Sequence, residues 1–158
     1  MFFECSANIA QLLKAAEGTV SVAESSTGGL ISANLLSVPG ASSYYRGGSV
    51  VYTLEARRAF LTLDKDKLKG LKPLTEETVQ VFAHAARASL NTTWGIAELG
   101  ATGPAGTPYG HRPGVSVIGI SGPVNATLTV NTGSDNRTEN MLAFTEAALK
   151  LFQKILSS

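Results

Sequence analysis

Apolar positions recur along this chain in two periods, and the switches between them mark out its elements. Ile9, Leu12, Leu13 and Ala16 fall at helical spacing, with Ser6 placed to cap the helix and Gly18 to end it. Thr19 to Ala23 is rich in β-formers. After a polar turn, Leu30, Ile31, Leu35 and Leu36 mark one face of a second helix, which Pro39-Gly40 stops. Gly48 to Thr53, with Val50, Val51 and Tyr52, predicts a second strand, and Glu55 to Leu61 a short helix. The lysine-rich stretch Lys65 to Lys72 predicts a solvated loop. Thr75 is a good cap for the next helix, with Glu76 and Glu77 near the positive end of its dipole and Val79, Phe82, Ala83, Ala86 and Leu90 along one stripe. Trp94 to Leu99, Val115 to Ile120 and Ala126 to Val130 predict three further strands, the last two close enough for a hairpin. Asp135 is placed to cap a final helix whose buried face carries Met141, Ala148, Leu149, Phe152, Ile155 and Leu156.

Helices alternating with strands, then a hairpin, predict an α/β fold with a partly parallel sheet. A chain of 158 residues with no internal repeat or linker reads as one domain over 1–158. Apolar content of 44% and charged content of 16% fit a packed core and argue against disorder. The formal charge of +1 gives no basic field, which speaks against nucleic acid as a partner. The single cysteine, Cys5, excludes an internal disulfide and fits a reducing compartment. No leader pattern opens the sequence and no apolar run is long enough to span a membrane, so the expected setting is cytoplasmic, without membrane contact.

Two glycine-bearing turns carry the candidate chemistry. Glu24-Ser25-Ser26-Thr27-Gly28-Gly29 joins a strand to a helix. Either its N–H groups and hydroxyls converge on a phosphate or carboxylate, or one hydroxyl caps the helix while the glycines let the chain bend. It lacks the lysine of a nucleotide-triphosphate loop and the G-x-S-x-G of an α/β-hydrolase. Gly100 to Gly114, with five glycines and three prolines, also follows a strand and is too long to be only a connection. Open α/β sheets bind ligands beyond the carboxyl ends of their strands, so the two turns predict one shared pocket. His84 and His111 stand apart, no cluster has metal-ligand spacing, and neither a metal nor a cofactor is called for. Serine chemistry needs a base. Tyr52, close to Arg57 and Arg58, is a candidate; its alternative is an ordinary half-buried strand tyrosine.

Together these residues resemble the C-terminal domain of the CinA family, the nicotinamide mononucleotide (NMN) deamidase domain. The family's A-E-S-C-T-G-G is matched by Ala23 to Gly29, with Ser26 in place of the cysteine. Y-S-N-E-A-K appears as Tyr52-Thr53-Leu54-Glu55-Ala56-Arg57, and G-x-[AT]-G-P-x-G as Gly100 to Gly106. G-D-R-x-x-V-R corresponds to Asp135-Asn136-Arg137 and onward to Met141, and the match runs from about Ile9 to Leu156.

The resemblance implies a three-layer α/β/α sandwich with a mixed sheet, and hydrolysis of the NMN carboxamide to nicotinic acid mononucleotide and ammonia. By position, Ser25 is the implied nucleophile, Tyr52 a proton-transfer partner, and Arg57 stands at the family's lysine. Glu24, Ser26, Thr27, Gly28, Gly29, Thr102 and Gly103 are implied contacts to substrate, and Arg137 the group that meets the 5'-phosphate. The implied partner is therefore a small pyridine nucleotide, NMN or a relative; self-association into a homo-oligomer is left open. If the family's lysine acts as a neutral base, Arg57 cannot replace it; if it acts as a cation, arginine serves in part. Leu54 and Met141 depart from the motifs as well. A catalytically impaired homologue that binds nucleotides or phosphate, or acts as an interaction module, is thus the alternative to a working amidase. A third reading keeps the serine but uses it on another amide.

Overall fold

The computed structural model describes Met1–Ser158. Five strands, β1 (Val20–Glu24), β2 (Tyr45–Val50), β3 (Trp94–Ala101), β4 (Val115–Ser121) and β5 (Ala126–Asn131), form one sheet in the order β2-β1-β3-β4-β5. β1 runs parallel to β2 and β3, whereas β3–β4 and β4–β5 are antiparallel, which makes the sheet mixed.

Period-two alternation sends neighbouring residues of each strand to opposite layers. Val20 and Val22 of β1, Trp94 and Ile96 of β3 and Ile118 and Ile120 of β4 face helices α1 (Cys5–Ala15), α2 (Leu30–Leu36) and α6 (Arg137–Leu156). There they pack on Ile9, Leu13, Ile31, Leu35, Leu149 and Phe152. Ala23, Ala97, Leu99 and Val117 face the other way, toward Val79, Phe82, Ala83 and Ala86 of α5 (Glu76–Leu90). The result is the three-layer α/β/α sandwich. No helix is long and apolar enough to cross a membrane.

The α5 layer lies very close to the sheet at Gly95. A β-carbon there would run into the Ala83 carbonyl oxygen and come within 2.7 Å of the Arg87 backbone nitrogen. Neither obstacle is a flexible side-chain end, so the helix itself would have to move. Gly95→Ala is expected to destabilise the chain by about 2 kcal/mol through overpacking, read as a lowered urea midpoint; an unchanged midpoint would show that α5 shifts freely.

Several expectations shift. Ser6 does not cap α1; it is buried, with Oγ 3.3 Å from Asn34 Oδ1, and the cap position is Glu4. β2 lies three residues earlier than its apolar run implied, because its partner β1 ends at Glu24, opposite Val50. Tyr52 therefore stands outside the strand, 53% exposed, and Thr53 caps α3 (Leu54–Phe60) by accepting from the Ala56 N–H. Lys65–Leu68 forms a one-turn helix, α4, capped by Asp64. Neither α3 nor α4 buries a residue. β3 extends to Ala101, and Asn136 rather than Asp135 caps α6, accepting from the Glu139 N–H. Ala16, Leu36 and Leu90, placed on buried faces by periodicity, are exposed, while Met141, Ile155 and Leu156 are half-buried.

Candidate active site

Parallel register sets Glu24, the last residue of β1, directly beside Glu98 of β3. Both point into the α2/α6 layer and both are fully buried. Two ionisable carboxyls at neighbouring strand positions, out of water, need donors around them, and the turn after β1 supplies these. Glu24 accepts from Thr27 Oγ1 at 2.7 Å, the Gly29 and Ile31 N–H groups at 2.9 and 3.1 Å, and the Ser32 N–H at 2.9 Å. Glu98 accepts from Ser26 Oγ at 2.5 Å, the Thr27 and Ser25 N–H groups at 3.0 and 3.1 Å, and Ser116 Oγ at 3.0 Å. Burial holds the Glu98 carboxyl above its ordinary value, and these donors offset that rise only in part.

This changes the meaning of the turn. The first N–H groups of α2 do not converge on an external anion, because the Glu24 carboxylate already sits on them. The Ser26 and Thr27 hydroxyls, expected to touch substrate, are spent on the two carboxylates. Gly28 and Gly29 have φ of 63° and 101°, left-handed values that favour glycine, and so let the chain reverse between Thr27 and α2. Ser25 is different. It is buried, yet its hydroxyl makes no hydrogen bond within the chain. The one fully enclosed side-chain polar atom lacking a partner is Gln80 Oε1, so the free Ser25 hydroxyl keeps contact with solvent.

The loop after β3 meets the start of α6. Arg137, the first residue of that helix, donates from Nη1 to the Gly103 carbonyl at 2.6 Å and from Nη2 to Tyr52 Oη at 3.1 Å. Three predicted residues from three separate motifs thus join in one contact. Asn140, fully buried one turn along α6, donates to the Thr102 and Ser134 carbonyls, both at 2.9 Å, and ties the loop down. Thr102 is buried, and its own hydroxyl, like that of Ser25, makes no hydrogen bond in the chain. Gly103 has φ of 92°, and a β-carbon there would lie 2.8 Å from the Asp135 carbonyl oxygen. Met141, at the family's second arginine, lays its methyl against Gly28: a β-carbon on Gly28 would lie 3.2 Å from it.

Arg57 neither bonds Tyr52 nor points freely into solvent. Its Nε donates to the Val51 carbonyl at 3.2 Å, and its guanidinium carbon stands 5.2 Å from the centre of the Phe82 ring, a cation–π contact. Burial lowers its pKa from the ordinary value, against the opposing pull of Tyr109 and Glu98. A guanidinium nevertheless stays protonated in a protein. It makes no salt bridge, and its terminal nitrogens take no partner in the chain. The chain therefore carries an unpaired cation on α3, an arginine–tyrosine contact at the head of α6, and a free serine hydroxyl in the turn after β1. Ser25 Oγ is hydrogen-bonded to neither Tyr52 nor Arg57.

Glu98, Ser116 and Asn140 were not anticipated. Glu98 did leave a signal, a lone carboxylate in the otherwise apolar and small strand Trp94-Gly95-Ile96-Ala97-Glu98-Leu99-Gly100-Ala101. A separate cavity of about 640 Å³ lies along the outer face of α5, beside Leu63, Asp64, Lys67, His84 and Asn125; no predicted site residue lines it. His111 sits in the loop after β3, its Nδ1 3.0 Å from Thr107 Oγ1.

The profile of the CinA C-terminal domain matches residues 3–156 of the chain. A CinA-like protein of Desulfosudis oleivorans is 34% identical over 151 residues, covering 95% of this chain and 37% of that protein. A CinA-like protein of Prochlorococcus marinus subsp. pastoris is 33% identical over 154 residues, covering 95% and 35%. The chain thus spans about a third of the length of these relatives. Among solved structures, the competence/damage inducible protein CihA from Agrobacterium tumefaciens superposes with a TM-score of 0.89 at 26% identity, over 100% of this chain and 99% of that one.

Proposed function

The chain belongs to the CinA C-terminal domain family, and from that premise we propose that it binds NMN or a related pyridine nucleotide and hydrolyses its carboxamide. The observation that carries the reading is the Ser25 hydroxyl: of the three hydroxyls in the turn, it alone is not spent on a buried carboxylate. Ser25 Oγ forms a bond to the amide carbon, the C–N bond breaks, and the hydroxyl proton leaves on the departing nitrogen as ammonia. Water then adds to the acyl-serine ester, releasing the carboxylic acid and restoring the hydroxyl. Arg137 uses one N–H on Gly103 and one on Tyr52, which leaves others for the 5'-phosphate of the nucleotide. Arg57 supplies positive charge, Tyr52 takes part in proton transfer, and Thr102 and Gly103 contact the substrate. Glu24, Ser26, Thr27, Gly28 and Gly29 serve the site as its frame.

One observation favours a second reading, in which the nucleotide is bound but not cleaved. No base is hydrogen-bonded to the Ser25 hydroxyl, and the residue at the family's lysine is a guanidinium that cannot accept its proton. Ammonia release from NMN, measured beside calorimetric binding, separates the two. Turnover by the native chain is the expected result; tight binding with no ammonia would replace the first reading by the second. In the same assay Arg57→Lys is expected to raise kcat by roughly a hundred-fold, since an amine can give up its proton and serve as general base. An unchanged or lower kcat would confine position 57 to the role of a fixed cation.

A further inference from the structure

We infer that the backbone N–H of Ser26 is the oxyanion donor for an uncharged acyl carbonyl, a carboxamide or an ester, attacked by Ser25. This deepens the reading above and rests on its assignment of Ser25 as nucleophile. Nearly every N–H group of the turn has an acceptor within the chain. Between Ser25 and Ala33, those of Ser25 and Thr27 go to Glu98, and those of Gly29, Ile31 and Ser32 to Glu24. Those of Gly28, Leu30 and Ala33 go to the carbonyls of Ser25, Thr27 and Gly29. The Ser26 N–H alone donates to nothing, although the residue is only 4% exposed.

Orphan N–H groups at buried positions are rare, because leaving one unpaired costs free energy. Here the orphan belongs to the residue that follows the free serine hydroxyl, one peptide bond from it. That is where serine acyl-transfer sites of another fold place a donor for the oxygen of the tetrahedral adduct. The start of α2 is not itself the site, since Glu24 fills it. A single free N–H also sets the ligand's class. One N–H suits a single carbonyl oxygen, whereas a phosphate or carboxylate needs several donors and would face the buried Glu24 and Glu98 behind the turn. Any phosphate of the substrate lies instead toward Arg137.

The test uses p-nitrophenyl acetate, whose acyl group is unrelated to NMN. Ser25 Oγ bonds to the acetyl carbon, the bond to p-nitrophenolate breaks, and the hydroxyl proton passes to solvent. The native chain is expected to carry acetyl on Ser25 by mass spectrometry. A chain assembled by ligation with an ester in place of the Ser25–Ser26 amide loses that N–H and keeps every side chain, the Ser25 carbonyl remaining as a weaker acceptor for the Gly28 N–H. It is expected to acylate roughly a hundred-fold more slowly while unfolding at a similar urea concentration. Equal rates would overturn the inference, and so would a native Ser25 that takes no acetyl. Should the ester chain not fold, the native chain decides. With a tetrahedral phenylboronic acid adduct on Ser25, the ¹⁵N-labelled Ser26 N–H is expected to move downfield and to stop exchanging with solvent. An unmoved Ser26 signal beside a formed adduct would overturn the inference. Ammonia release is scored separately: a chain that takes acetyl but leaves NMN intact loses the substrate proposed above and keeps this donor.

Discussion

Exchanging Ser25 for alanine is expected to lower ammonia release from NMN by roughly a thousand-fold or more while leaving the urea midpoint of unfolding almost where it was. The two halves of this result come from one structural fact. The Ser25 hydroxyl makes no hydrogen bond within the chain, so its removal leaves no partner stranded. The N–H that anchors the residue to Glu98 stays in place in the variant, at 3.1 Å in the native chain. The expected stability change is therefore within about 0.5 kcal/mol. The chemistry has no such reserve, because a nucleophile removed takes with it the covalent route. A variant that still releases ammonia at the native rate would show that water attacks directly and that the serine serves only for binding. Loss of activity accompanied by a large loss of stability would mean that the hydroxyl holds the turn, contrary to the bonding described.

The second large effect falls on folding. Glu98→Ala is expected to cost about 3–5 kcal/mol, the range for removing one partner of a buried charged network. Five groups lean on that carboxylate: the Ser25 and Thr27 N–H groups and the Ser26, Thr27 and Ser116 hydroxyls. Three have another acceptor, the Glu98 carbonyl for the Ser25 N–H, the Glu24 carboxylate for the Thr27 hydroxyl and the Leu99 carbonyl for Ser116 Oγ. The Ser26 hydroxyl and the Thr27 N–H have none. Against a typical total of about 5–15 kcal/mol, such a loss takes a large share of the native stability. The urea midpoint of the variant measures it, and an unchanged midpoint would mean that water enters the gap and replaces the carboxylate.

The architecture was legible where periodicity reports burial. Ile9 and Leu13, Val79 and Phe82, and the alternating positions of the central strands all fell into the layers that hold them. β2 was not, because Tyr45-Arg46-Gly47-Gly48-Ser49 alternates only between half-buried and exposed positions and carries little apolar contrast. Its place is set by pairing with β1, a long-range fact that local pattern does not contain. The motifs pointed to a shared site, and Tyr52, Gly103 and Arg137 do meet. What the motifs did not convey is which way each side chain of the turn faces. Ser25, Ser26 and Thr27 are alike in chemistry, and the difference among them comes from a carboxylate about seventy residues downstream, visible only once β1 and β3 lie side by side.

Two of the departures from the family motifs, Leu54 and Arg57, fall on α3, the helix that buries none of its residues. Most positions in a folded chain serve two masters, packing and purpose, and their variation among relatives blends the two. On α3 the first demand is nearly silent: Leu54 stands 53% exposed, and the Arg57 side chain rests on the face of Phe82 without entering the core. Folding leaves drift in this segment largely unchecked, so whatever does keep a residue fixed there across relatives has to be the task of the site. Position by position, α3 is where the history of this pocket can be read with least interference from the demands of the fold.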